Sequence, residues 1–368
     1  MNKRNSISTL TALAVATTMA FGANSTGLKD NMPFKLGVAV SNAQINDIAN
    51  GRKTQALDLI KRNFNQVVAE NAMKDQPLQP IEGHFTFDAA DAFVDWSNKN
   101  GMKTMGHVLL WHSQLPGWFT RGDNGELCSR EKLLDRMENH IKTVVTHFKG
   151  RVAGWDVVNE AVEGDGSYRR SDFYKILGEE FIDYAFKFAH EADPDCELWY
   201  NDYGNESAKK NETIASIVRR LKSKGMRIDG VGLQTHIRID SPSIESYENA
   251  INLFVAEGVK VAITEMDISV LPSAWGLTAE VSTKVEYREK LNPWADGNLP
   301  PEVDKQLGER YAEWFRMFRR HAASIDRVTV WGLSDSSSWL NDFPVPGRTD
   351  YPLLVTRDMK LKTWTKSL

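Results

Sequence analysis

The sequence predicts a single (β/α)8 barrel, and three observations predict it. From residue 34 onward, short apolar runs rich in β-branched residues alternate with longer segments of helical period. That alternation implies a parallel sheet wrapped by helices. The runs number about eight, the count at which such a sheet closes on itself. No Ser/Gly linker, low-complexity tract or internal repeat interrupts the 368-residue chain, so one unit is expected over 26–368. A doubly wound open sheet is the alternative.

The candidate strands are 35–40, 66–70, 103–109, 152–159, 197–201, 230–235, 260–265 and 327–332. Short runs with so few charges suit strands buried on both faces. Between the third and fourth, Leu134, Met137, Ile141, Val144, Val145 and Phe148 fall at helical spacing behind Ser129, a capping residue. Similar spacing marks 173–189, 213–221 and 311–321.

Barrels of this kind carry their chemistry at the C-terminal ends of the strands. The second run ends in Glu70-Asn71, with Lys74 just beyond, and the third leads into His107, Trp111 and His112. The fourth ends at Asn159-Glu160, the fifth in Asn201-Asp202-Tyr203 and the sixth in Gln234-Thr235-His236. The seventh stops at Glu265 with Asp267 following, and the eighth at Trp331. Polar and aromatic side chains therefore gather on one rim.

Ahead of the barrel, Lys3 and Arg4 precede an apolar, Ala- and Thr-rich stretch from Ile7 to Ala20 and then small residues. That order is the pattern of a secretory signal peptide over 1–25, so the protein is expected to be exported, to the periplasm or the medium. Loss of the two basic residues with the leader leaves 43 basic against 49 acidic side chains, a formal charge of −6. Such a balance offers no basic footprint for nucleic acid or for an anionic membrane, and the mature chain is expected to act as a monomer. Cys128 lies in a loop leaving the top of the third strand, whereas Cys196 precedes the fifth and belongs near its bottom. A strand is ~17–20 Å long and a disulfide needs Cα atoms within ~7 Å, so two unpaired thiols are expected.

Glu160 and Glu265 each follow a β-branched run, Trp155-Asp156-Val157-Val158-Asn159 and Val261-Ala262-Ile263-Thr264. Two carboxylates lifted from different strands onto one rim make the layout of a glycoside hydrolase. The tryptophans fit a carbohydrate ligand: of 11, Trp111, Trp118, Trp275, Trp331 and Trp339 lie on or just past strand ends. Flat indole faces pack on the C–H faces of pyranose rings. The first run ends Val38-Ala39-Val40-Ser41-Asn42, without His-x-His, and no close His/Cys cluster follows. No metal or cofactor is therefore expected.

At these residues the chain resembles glycoside hydrolase family 10, the retaining endo-β-1,4-xylanases. The resemblance is carried by the stretches Gly106–Pro116, Trp155–Ala161, Tyr200–Tyr203, Gly232–His236, Ile263–Ile268 and Val330–Asp335, in barrel order. It implies that Glu160 is the general acid/base and Glu265 the nucleophile. A poorly solvated setting beside the charge of Glu265 would keep Glu160 protonated until it donates. It also implies that His236, held from its other side by Asp267, braces the nucleophile, and that Asn159 bonds the sugar 2-hydroxyl. Lys74, His107, Trp111 and Gln234 resemble walls of the subsite where the bond breaks, and Glu70 and Asn71 contacts one sugar further out. Trp331 and Trp339 resemble a roof crowding the space of a hexose hydroxymethyl, which favours xylose, and Tyr203 resembles an aglycone contact. The expected partners are xylan and xylo-oligosaccharides. Leu340 stands where many members have arginine, and 271–301, with Trp275 and Trp294, matches no family stretch. A cellulase or mannanase from a related barrel family is the alternative, and a non-catalytic glycan-binding barrel a further one.

Overall fold

The computed structural model of the protein describes residues 26–274 and 290–368. The expected leader at 1–25 and Trp275 lie outside the described residues. The strands are β1 Lys35–Val40, β2 Gln66–Ala69, β3 Lys103–His107, β4 Gly154–Asn159, β5 Glu197–Asp202, β6 Gly230–Leu233, β7 His236–Arg238, β8 Lys260–Ser269 and β9 Ile325–Val330. Their order is β6-β5-β4-β3-β2-β1-β9-β8-β7, and pairing of β6 with β8 closes eight of them into a ring. The architecture is the (β/α)8 barrel, so the open-sheet alternative falls.

Alternate residues of each strand meet two different environments. Leu36, Val38, Val67, Val157, Leu198, Val231 and Ile263 join the main core with the helices. The opposite face fills the barrel interior with mixed sizes and polarity. Thr329 donates to Gln66 Oε1 at 2.8 Å, and the Arg327 guanidinium lies 4.2 Å over the Trp199 ring. Gly230 is required there, because a Cβ on it would stand 2.0 Å from the Trp199 indole.

The helix Arg130–Phe148 begins where its cap predicts, with Ser129 Oγ accepting the Lys132 N–H at 3.2 Å. Its inward stripe runs through Leu133, with Leu134 only half-buried. The segment 173–189, expected as one helix, is two: Asp172–Leu177 and Glu180–Ala192. Gly178 separates them at φ +62°, a left-handed conformation that ends a helix and that glycine adopts without a Cβ clash. The helices expected at 213–221 and 311–321 are Ala208–Ser223 and Pro301–Arg320, and both start well before the apolar spacing becomes visible. Cys128 and Cys196 are both buried and unpaired. Among the described residues no helix is long and apolar enough to cross a membrane.

The seventh candidate strand differs from expectation at its end. β8 continues four residues past Glu265, because the short β7 pairs there and sets His236 opposite Asp267.

Candidate active site

Glu160 follows β4 directly, with its backbone at φ +59°. A non-glycine residue in that region costs ~1–2 kcal/mol, and the surroundings hold it there. Its N–H donates to the Asn201 carbonyl at 2.9 Å, and its own carbonyl accepts from Arg169 Nε at 2.8 Å. Thr235, just after β6, adopts the same uncommon conformation at φ +65°. Both outliers lie on the rim, where strands turn into loops.

The Glu160 carboxylate is ringed by donors. Trp111 Nε1 donates to Oε2 at 2.9 Å, and Gln234 Nε2 donates to Oε1 at 3.0 Å. Asn159 Nδ2 reaches Oε1 at 3.3 Å. Glu265 is more deeply set, 5% exposed. Asn201 Nδ2 donates to its Oε1 at 2.8 Å, and His236 Nε2 lies 3.3 Å from Oε2. A chain of amides connects the two acids: Gln234 Nε2 also donates to Asn159 Oδ1 at 3.1 Å, and Asn201 Nδ2 to the same oxygen at 3.0 Å. Thr264 fixes the Asn201 amide by donating to its Oδ1 at 2.7 Å. Gly232 leaves the room, since a Cβ there would meet that oxygen at 2.3 Å.

His236 is gripped between two carboxylates, with Nδ1 2.9 Å from Asp267 Oδ2. Trp339 Nε1 donates to the same oxygen at 2.8 Å. Burial pulls the imidazole pKa down, but the charge and hydrogen bond of Asp267, then Glu265, raise it to about 10. His236 is therefore an imidazolium at neutral pH. Burial pushes Glu265 upward, and the His236 hydrogen bond, the fields of His107 and His236 and the Asn201 amide outweigh it. The Glu265 carboxyl is held below the usual range, ionised.

The remaining predicted residues assemble around this centre. His107 Nδ1 is 2.9 Å from Asp156 Oδ2, and its ring meets Trp331 edge-on at 5.4 Å. Trp331 is 7% exposed, and Trp339 lies 4.9 Å from the His236 ring. Lys74 Nζ donates to Asn71 Oδ1 at 3.0 Å and Gln114 Oε1 at 2.5 Å, and lies 4.8 Å over the Trp111 ring. Burial lowers its pKa despite the pull of Glu265, Glu70, Glu160 and Asp75. Burial likewise raises Glu70, against Lys74 and Asn71. Tyr203 stands at the outer edge, 37% exposed, its hydroxyl accepting from Arg169 at 2.7 Å.

One rim tryptophan takes a packing role instead. Trp118 tilts on Phe119 at 5.0 Å, with the Arg136 guanidinium 5.6 Å over its ring. Conversely, Arg169, Asp156 and Gln114 hold the site and were not singled out from sequence. Asn201 was placed on the rim, at the end of the fifth run, but was given no role there, although it stands inside the Tyr200-Asn201-Asp202-Tyr203 stretch.

The model of glycosyl hydrolase family 10 matches residues 26–367. The chain is 45% identical over 310 residues to an endo-1,4-beta-xylanase A of Xylanibacter ruminicola, covering 84% of each. A solved GH10 endoxylanase retrieved from a sugarcane soil metagenome shares the fold with a TM-score of 0.84 at 40% identity, over 93% of this chain and 98% of that one. The intracellular xylanase of Thermoanaerobacterium saccharolyticum, solved as a mutant with xylotetraose, gives a TM-score of 0.78 at 34% identity, over 92% and 96%. By the family match over nearly the whole described chain, this protein belongs to glycosyl hydrolase family 10.

Proposed function

We propose that this protein is a retaining endo-1,4-β-xylanase in which Glu265 is the nucleophile and Glu160 the acid/base. The observation that carries the assignment of roles is the unequal setting of the two acids. Glu265 is buried against an imidazolium, which keeps it ionised for attack. Among the described residues, the donors to the Glu160 carboxylate oxygens are neutral amides and an indole.

In the first step Glu265 attacks the anomeric carbon, the glycosidic C–O bond breaks, and Glu160 gives its proton to the departing oxygen. Esterification removes the negative charge of Glu265. Glu160, now a carboxylate, takes a proton from water, whose oxygen attacks the same carbon and releases Glu265. Two inversions give net retention. Asn159 is the contact for the 2-hydroxyl, a bond that tightens as charge develops in the ring. Lys74, His107, Trp111 and Gln234 line the bond-breaking subsite, and Glu70 and Asn71 serve the next sugar toward the non-reducing end.

Xylan and xylo-oligosaccharides are the substrates supported by the relatives, which are named as xylanases, and Trp331 with Trp339 supports xylose over a hexose. The cellulase or mannanase reading has no such support. Export rests on the basic, apolar and small-residue order of 1–25, and action as a monomer on a site completed by one chain. Initial rates on xylan, carboxymethylcellulose and mannan test the substrate. Xylan is expected to be cleaved fastest, and preference for either of the others would refute the assignment.

A further inference from the structure

Asp202 ends β5 on the side that faces the helices, with Tyr200 two residues before it and Lys210 of the helix Ala208–Ser223 beside it. All three side chains are fully buried. Asp202 Oδ1 lies 2.7 Å from Lys210 Nζ and accepts the Tyr203 N–H at 2.9 Å. Its Oδ2 accepts the Tyr200 hydroxyl at 2.7 Å and the Val162 N–H at 3.4 Å. The Tyr200 oxygen in turn accepts the Ala161 N–H at 3.1 Å. The two peptide groups after Glu160 therefore hang on this carboxylate, one directly and one through Tyr200.

Two more routes lead from the pair to Glu160. The Asp202 carbonyl accepts the Gln234 N–H at 2.9 Å, and the Gln234 side chain bonds the Glu160 carboxylate at 3.0 Å. Lys210 Nζ sits 4.0 Å over the Tyr203 ring, whose hydroxyl accepts from the same Arg169 that holds the Glu160 carbonyl.

We propose that Asp202 and Lys210 are positioning residues for the acid/base, a buried neutral pair that holds the Glu160–Val162 turn in its uncommon backbone conformation and fixes Tyr203 beside it. The proposal rests on the reading of Glu160 as acid/base. A buried ion pair stabilises a fold little compared with apolar residues of the same volume, whereas a left-handed glutamate persists only when its surroundings over-determine it. The groups facing Asp202 are Lys210, Tyr200, Tyr203 and Glu160. Burial pushes the Asp202 carboxyl up to about 6 against the pull of Lys210 and the Tyr200 hydrogen bond. Without its cation the carboxyl is pushed further up, toward the protonated form that competes with its own donors.

Leaving-group dependence tests this. General acid assistance matters for a sugar alcohol and hardly at all for dinitrophenolate. In Lys210→Met, kcat/KM on xylotetraose is expected to fall about tenfold or more, while that on 2,4-dinitrophenyl β-xylobioside changes less than about threefold. The double change Lys210→Met with Asp202→Asn leaves no uncompensated charge and keeps the assay available if the single variant does not fold. The same selective loss is expected in it. Equal losses on both substrates, or wild-type rates on both, would overturn the proposal. Glu160→Ala is run alongside: a loss equal on both substrates there would overturn the acid/base reading itself, a separate failure.

Discussion

Replacing Asp267 with Asn removes the charge that keeps His236 protonated while preserving its shape. The amide oxygen can still accept both the His236 ring N–H and the Trp339 indole, now 2.9 and 2.8 Å from Asp267 Oδ2. Wild-type His236 is raised from 6.5 to about 10, with burial opposing and Asp267 the largest favourable influence. At about 1.4 kcal/mol per pH unit, that difference corresponds to roughly 5 kcal/mol favouring the folded protein. Because the folded value is raised, this stabilisation is complete below about pH 6.5 and is lost as pH rises through about 10. In the variant the Asp267 charge is gone and burial is opposed chiefly by Glu265, so the ring pKa falls. Unfolding free energies in urea at pH 6, 8 and 10 are therefore expected to show a gap between the proteins that narrows with rising pH. Near pH 8 the narrowing should approach ~1.4 kcal/mol per unit. NMR titration of the His236 ring gives the same comparison directly. A gap independent of pH, or a wild-type ring titrating near 6.5, would refute the imidazolium brace.

Trp111→Phe keeps a ring beside Lys74 but loses the donor to Glu160, and kcat/KM on xylotetraose is expected to fall about tenfold with little change in melting temperature, the usual size for a hydrogen bond to a charged group. Gly230→Ala forces a methyl to within 2.0 Å of the Trp199 indole, and urea unfolding should show a loss of about 1–3 kcal/mol. Thiol titration should find both cysteines in denatured protein and slow reaction in native protein. Both are buried, and burial pushes the Cys196 thiol up to about 12.

Much of the barrel was legible because its strands are short β-branched runs bounded by polar residues, a signal that survives in local sequence. β2, β3, β5 and β9 fall within two residues of their expected ends. β7 was not legible, because three residues carry no period and its existence depends on β8 running on beneath it. The break at Gly178 was hidden by apolar spacing that continues on both sides. Within the site, residues at strand ends were found, since the barrel rule points to them. Arg169 was not, because it lies in a loop and its link to Glu160 is a main-chain contact. Asp202 was placed on the rim by the strand-end rule, but its side chain turns toward the helices, and its partner Lys210 lies on a helix that the rule does not reach.

In the proposed mechanism Glu265 forms the covalent bond to the sugar. Incubation with 2,4-dinitrophenyl 2-deoxy-2-fluoro-β-xylobioside slows release of the intermediate, so that mass spectrometry of a digest can locate the bound sugar. One fluoroxylobiosyl group per chain is expected, carried by the peptide holding Glu265. A label on Glu160 or elsewhere, or turnover with inverted configuration and no label, would contradict it.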